Sequence, residues 1–376
     1  SLSVIDVWRN FITSNRNALE KKETDTTKLQ KQVKVLIWSV SVILVVVIMI
    51  SVFWFVGQDM AAEDLDQSSG LNQDLYQDSA APVDFPPLDT ASDLWTAQDL
   101  SLVPGAKKDM VEYGRELIAN TSQYLGPKGS VAQISNGMNC QNCHLQAGNQ
   151  PYGINFGSVW STYPKFRPHR PRGESSEDLF MRVSSCFERS LNGTSPAKGS
   201  KEMQSILAYI NYVGGNVPKG QKAKGSGIYE MPLLSRAADP VRGKMIYAKK
   251  CVSCHLENGE GQLAADGKSY QYPPLWGSHS YNSAAGLFLL SKFAGYVKAN
   301  MPQGATYRGP LLSDEDCWDL AAYVNSQPRP SKDLGKESPL LEEKLFDYPF
   351  GPYADGFSEK QHKYGPFKPI KEKSKL

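Results

Sequence analysis

Two short runs in this 376-residue chain carry chemistry in their spacing. Cys140-Gln141-Asn142-Cys143-His144 and Cys251-Val252-Ser253-Cys254-His255 each set two thiols three positions apart, with an imidazole directly after. Two such thiols can reach the two vinyl groups of one porphyrin as thioethers. The next residue then brings a ring nitrogen to the iron. A redox dithiol would use the Cys-x-x-Cys spacing but gives no reason for the histidine, twice. A zinc site would have to join the two motifs, and 107 residues lie between Cys143 and Cys251, far beyond finger spacing. Two covalent haem c groups use every residue: Cys140, Cys143, Cys251 and Cys254 attach them, and His144 and His255 are the first axial ligands.

Each iron then needs a sixth ligand or an open face. For the second haem the candidate is Met301, which lies 46 residues after His255 on the loop before the last helical pattern. A thioether there raises the potential and suits electron transfer. Lys298 is a weaker rival. For the first haem the matching interval lands on Cys186, 42 residues after His144. That thiol has three readings on spacing alone: an iron ligand, half of a disulfide with Cys317, or an inert buried thiol.

The elements that must position these groups form a two-fold repeat with poor residue identity. The apolar spacing of Met110, Val111, Tyr113, Leu117 and Ile118 predicts a helix over 107–124. Met203, Ile206, Leu207, Ile210 and Val213 predict another over 200–214, stopped by Gly214-Gly215. Pro240 opens a third through Met245, Ile246 and Tyr247. Ser313 and Asp316 resemble a capping box for a fourth, running to about Asn325 through Trp318, Leu320, Ala321 and Val324. The expected fold is mainly α: two cytochrome c-type helical haem domains in tandem, at 106–220 and 236–330, joined by a linker at 221–235. An aromatic-rich tail at 331–376 is expected to lie across them.

The N-terminal part differs in kind. Residues 35–56 are uncharged and would span about 33 Å as a helix, enough for a bilayer core. Lys28, Lys31 and Lys34 precede this run; Asp59, Glu63 and Asp64 follow it. The asymmetry places residues 1–34 in the cytoplasm and the haem domains outside. The expected location is therefore the inner membrane, single-pass, with the haem domains on the periplasmic side. A cleaved signal peptide would be shorter and would not follow 34 residues. Residues 57–105 are rich in Asp, Gln, Ser and Pro, a composition suited to a flexible acidic tether. The formal net charge of +2 hides this: residues 107–376 hold 34 basic and 25 acidic residues. That basic part favours anions or acidic partners. No basic stripe with interleaved aromatics suggests nucleic acid.

Around Cys186 the run Ser185-Cys186-Phe187-Glu188-Arg189-Ser190-Leu191-Asn192-Gly193 resembles the dihaem thiosulfate dehydrogenase family. So do Ile134-Ser135-Asn136-Gly137-Met138-Asn139, Pro151-Tyr152-Gly153-Ile154-Asn155-Phe156, Tyr163-Pro164 and Met301-Pro302. The likeness continues in Ser326-Gln327-Pro328-Arg329-Pro330, in Gly351-Pro352-Tyr353-Ala354-Asp355 and in Gln361-His362-Lys363-Tyr364-Gly365-Pro366-Phe367, so it covers roughly 106–370. The resemblance implies coupling of two thiosulfates into tetrathionate. It implies His144 and Cys186 as axial ligands of an active-site haem 1, with Cys186 able to hold a sulfane sulfur. His255 and Met301 would hold an electron-exit haem 2. By position, Arg172 and Ser190 resemble pocket residues of the family.

Thiosulfate is a dianion, and Arg167, Arg170, Arg172, Arg182 and Arg189 all lie within 20 residues of Cys186. The partners implied are a small sulfur anion, the membrane, and an electron-accepting cytochrome or terminal oxidase. Three features depart from the family: the anchor with its tether, the extra Cys317, and the Arg-rich loop 166–172. The anchor keeps an alternative open, a non-enzymatic electron-transfer subunit or shuttle of a membrane respiratory complex.

Overall fold

In the computed structural model the chain divides into two units, 1–85 and 86–376. The structure describes Trp38 and residues 94–166, 176–333, 335 and 338–374. The expected membrane span therefore lies, Trp38 apart, outside the described residues. Among the described residues no helix is long and apolar enough to cross a membrane.

The four helices expected from apolar spacing are present. They are α1 (Gly105–Ala119), followed at once by the one-turn α2 (Thr121–Leu125), then α4 (Lys201–Val213), α5 (Pro240–Lys250) and α7 (Asp314–Ser326). The starts of α4, α5 and α7 follow from side-chain caps. Ser200 accepts from Met203 N, Asp239 accepts from Val241 N with Pro240 in the first turn, and Ser313 accepts from Asp316 N. Met110 and Met245, expected on the apolar faces, are instead exposed.

The repeat is visible at the helix contacts. α1 packs on α4 through Val111, Leu117 and Ile118 against Met203, Ile206 and Ile210, all buried. α5 packs on α7 in the same way, with Tyr247 against Trp318, Leu320 and Val324 in one apolar core. Each pair meets at a glycine. A Cβ on Gly114 would stand 1.9 Å from the Ser205 carbonyl oxygen, and one on Gly243 would stand 2.0 Å from that of Asp319. Beside them sit the Tyr209 and Tyr323 side chains, at matching positions. The second pair is fastened further by the buried Asp319 carboxylate. It accepts from Arg236 at 2.8 Å, from Arg242 Nε at 3.0 Å and from Asp239 N at 2.7 Å. A buried charge so fully paired is held without a large desolvation penalty left over.

The stretches expected as long loops contain two further helices of 11 residues each, α3 (Leu179–Arg189) and α6 (Leu290–Asn300). Two short ribbons complete the loops: Lys165–Phe166 with Ser176–Glu177, and Gln262–Leu263 with Tyr270–Tyr272. The 221–235 segment is packed, with Tyr152 N and Ile154 N donating to the Gly225 and Gly227 carbonyls. The tail carries α8 (Glu359–Tyr364) and α9 (Lys368–Lys373) and lies mainly on the second helix pair. Phe367 meets Trp318, and the Asp347 carboxylate accepts from Ser291 N at the start of α6.

Gly243→Ala forces a methyl into backbone, so a loss of about 1–3 kcal/mol is expected, read as a lowered thermal midpoint. Gly199→Ala, where nothing lies within 4 Å, is the matched control and should not shift it.

Candidate functional site

The first Cys-x-x-Cys-His run sits at the end of α2, tied there by backbone donors. Cys140 N donates to Thr121 Oγ1 at 2.9 Å, and Ser122 N donates to Asn139 Oδ1 at 2.8 Å. His144 Nδ1 donates to the Ile154 carbonyl at 2.6 Å, which leaves Nε2 with its lone pair for the cavity.

Facing it is α3. Asp178 caps this helix by accepting from Met181 N, and Val183 and Phe187 bury one side. Arg182, Cys186 and Ser190 follow at intervals of four and so share another side. All three line a cavity of about 540 Å³, together with Cys140, Cys143 and His144. Much of the remaining wall is apolar, including Ile118, Ile206 and Ile210. Lys165, Lys222 and Lys292 also line it. These three lysines come from a ribbon, the 221–235 segment and α6, so no spacing around Cys186 could have marked them. Arg167, Arg170 and Arg172 lie outside the described residues.

Electrostatics sets Cys186 apart from the attachment thiols. Burial pushes Cys140 up to about 11 and Cys143 up to about 12. Burial pushes Cys186 up as well, but the Arg182 cation first, then the neighbouring His144 ring and the Arg189 charge, outweigh it. The thiol ends at about 7.

The second motif lines a separate space with Met301. His255 Nδ1 donates to the Pro273 carbonyl at 2.9 Å, in the same role as the bond to Ile154. Burial, partly offset by that bond, holds the imidazole below its ordinary value, in the neutral form that binds metal. Tyr247, Phe293, Val297 and Leu320 form the walls. Lys298 turns away from this space. Its amine donates to the Leu312 carbonyl at 2.8 Å and pairs with Asp314 at 2.7 Å. Cys317 is fully buried in α7 and lines neither cavity, and both it and Cys186 are free thiols. The disulfide reading of Cys186 is therefore not what the structure contains.

Thiosulfate dehydrogenase from Stutzerimonas stutzeri is 34% identical over 275 residues, covering 73% of this chain and 82% of its own length. This chain belongs to the thiosulfate dehydrogenase family. The thiosulfate dehydrogenase of Allochromatium vinosum is also 34% identical, over 240 residues, covering 62% of this chain and 84% of the relative. The cytochrome c family model matches residues 240–328. Among solved structures, thiosulfate dehydrogenase (TsdBA) from Marichromatium purpuratum, in its as-isolated form, superposes with a TM-score of 0.59 at 26% identity over 70% of this chain. This chain spans 55% of the length of that solved chain. The protein is thus a c-type cytochrome with covalently bound haem c, in an oxidoreductase family.

The residues present fit that group. In the first cavity two thiols and an imidazole nitrogen face one sulfur across an apolar space large enough for a flat macrocycle. The donor chemistry of the second space fits equally. Its open volume, about 90 Å³, is smaller than that of the first cavity.

Because the Cys186 thiol is lowered, its reactive thiolate is present above about pH 7 and lost as pH falls through that value. Arg182→Gln removes the strongest charge opposing burial. In the haem-free protein, the pH midpoint of Cys186 alkylation by iodoacetamide, followed by mass spectrometry, should move upward; an unmoved midpoint would refute the role given to Arg182.

Proposed function

We propose that this chain oxidises thiosulfate to tetrathionate in the first cavity and passes the electrons through the second to a redox protein. The observation that carries this reading is the shared helix side of Arg182, Cys186 and Ser190, facing His144 inside a cavity with three lysines in its lining. Two haem c groups, held by Cys140, Cys143 and His144 and by Cys251, Cys254 and His255, with Cys186 and Met301 as the remaining axial ligands, would supply one-electron iron chemistry.

The chain's own residues do the rest. Two thiosulfate dianions must approach each other, and Arg182 with the lysines offsets a repulsion that would otherwise forbid it. The Ser190 hydroxyl can donate to a sulfonate oxygen. Arg172 is assigned to the same pocket by family position. One S–S bond forms between the two sulfane sulfurs, two electrons leave, and no proton is released. Cys186 is placed to hold one sulfane sulfur while the second arrives. The apolar walls limit water around the reacting sulfurs, which strengthens each of these charge contacts.

The Cys186 thiolate would lower the potential of the haem held in the first cavity and the Met301 thioether would raise that of the haem held in the second, so electrons would run from the first to the second. The acceptor is then a cytochrome or terminal oxidase. The 35–56 segment anchors the chain in the inner membrane, and the acidic stretch after it gives the haem part reach on the periplasmic side; residues 95–103, expected within that tether, instead pack on the first domain, with Trp95 buried and its Nε1 donating to Asn216 Oδ1 at 2.9 Å. The apolar length of 35–56 and the lysines before it support the anchor.

Purified protein should carry two haems per chain by pyridine haemochrome assay, and thiosulfate should reduce them. Cys186→Gly should stop reduction by thiosulfate while dithionite still reduces both haems. One haem per chain, or an undiminished rate in Cys186→Gly, would reject the proposal. For the anchor, the full chain should stay with the membrane fraction after a high-salt wash, and deleting 35–56 should release it.

A further inference from the structure

The two cavities share a wall. Met138 and Cys143 line both of them, and Asn142, between the two attachment thiols of the first motif, lines the second. From the other side the wall is made by α6. Tyr296 of that helix is buried, lines the second cavity and donates its hydroxyl to the Asn142 carbonyl at 3.2 Å.

The neighbouring contacts give Tyr296 its place. The Asn142 side chain is held within its own loop, where Oδ1 accepts from Asn139 N at 2.7 Å. Its amide reaches the Tyr270 carbonyl only at 3.5 Å, the limit of a hydrogen bond. Tyr281, also in the wall, spends its hydroxyl on Asn325 at 2.9 Å. Other bonds between the two helix pairs lie outside the wall: Gln150 to Asn300 at 2.7 Å, and Asn282 to the Glu188 carbonyl at 2.8 Å. Tyr296 therefore makes the short contact from the second cavity onto the first attachment motif.

We propose that Tyr296 is a positioning residue that holds the Asn142-Cys143 segment as the bridge for electrons crossing from the first haem to the second. The path runs from the Cys143 thioether through its backbone to the Asn142 carbonyl, and across the hydrogen bond to the Tyr296 ring. One electron leaves the first haem and one arrives at the second. No bond is made or broken. Tyr296 keeps its proton, because burial holds its hydroxyl well above the ordinary phenol value. The inference rests on the two-haem reading above.

The test uses the full holoprotein and its Tyr296→Phe and Gln150→Ala variants. Haem content, both midpoint potentials and the rate of inter-haem transfer after rapid photoreduction are measured. Tyr296→Phe keeps the ring and its packing. It should retain both haems and both potentials while inter-haem transfer slows several-fold. Gln150→Ala removes an interface bond outside the wall and should leave the rate unchanged. An unchanged rate in Tyr296→Phe, equal slowing in Gln150→Ala, or loss of a haem from Tyr296→Phe would each overturn the bridge. A single haem in the parent protein would instead refute the two-haem reading itself.

Discussion

The site depends on one opposition: burial against charge at the Cys186 sulfur. Left alone in an apolar cavity the thiol would be pushed up by burial, as the Cys140 and Cys143 thiols are before haem attachment, to about 11 and 12. Arg182, one helical turn earlier, together with the His144 ring and the Arg189 charge, reverses the balance and brings it to about 7. The helix makes this possible because residues four apart lie on the same side. Three requirements therefore fall on the eleven-residue helix and its two caps: a cap at Asp178, an apolar side at Val183 and Phe187, and a chemical side at Arg182, Cys186 and Ser190.

Two near-copies of one helix pair support this arrangement, and the copies differ where chemistry requires it. Both pairs need a glycine at closest approach and set a tyrosine beside it, so the frame is under the same packing constraint twice. Both histidines give Nδ1 to a backbone carbonyl and turn Nε2 inward. The contrast lies in the opposing sulfur. In the first cavity it is a thiol beside cations; in the second it is a thioether, and the nearby Lys298 is drawn off by Asp314 and the Leu312 carbonyl. Charge is gathered where a dianion would bind and removed where only electrons would pass.

The frame was legible in the sequence, and the helices between its members were not. The haem motifs are local patterns, and α1, α4, α5 and α7 show caps or apolar spacing that a single chain displays. In α6, Phe293 through Asn300 are all buried, so no polar stripe gives the helix its period. In α3 the spacing of Arg182, Cys186 and Ser190 was present, but a helix of three turns draws most of its stability from packing that sequence does not show. The lysines of the first cavity converge from three distant segments, and only the fold brings them together. Arg172, read from family position, lies outside the described residues.

α6 ties the two halves into one device. It begins under the Asp347 carboxylate, brings Lys292 to the first cavity, packs Phe293, Tyr296 and Val297 into the second, and ends at Met301. At Gly295 it comes so close to the Tyr229 carbonyl oxygen that a Cβ would stand 2.0 Å away, and at its end Asn300 donates to the Tyr152 carbonyl at 3.1 Å. A helix held at both ends and in the middle cannot slide without disturbing both cavities. That explains why it is buried on nearly every side and lacks the polar face of an ordinary surface helix. Its rigidity keeps the spacing between the two motifs fixed, and tunnelling between redox groups depends on that spacing more steeply than on any other structural variable.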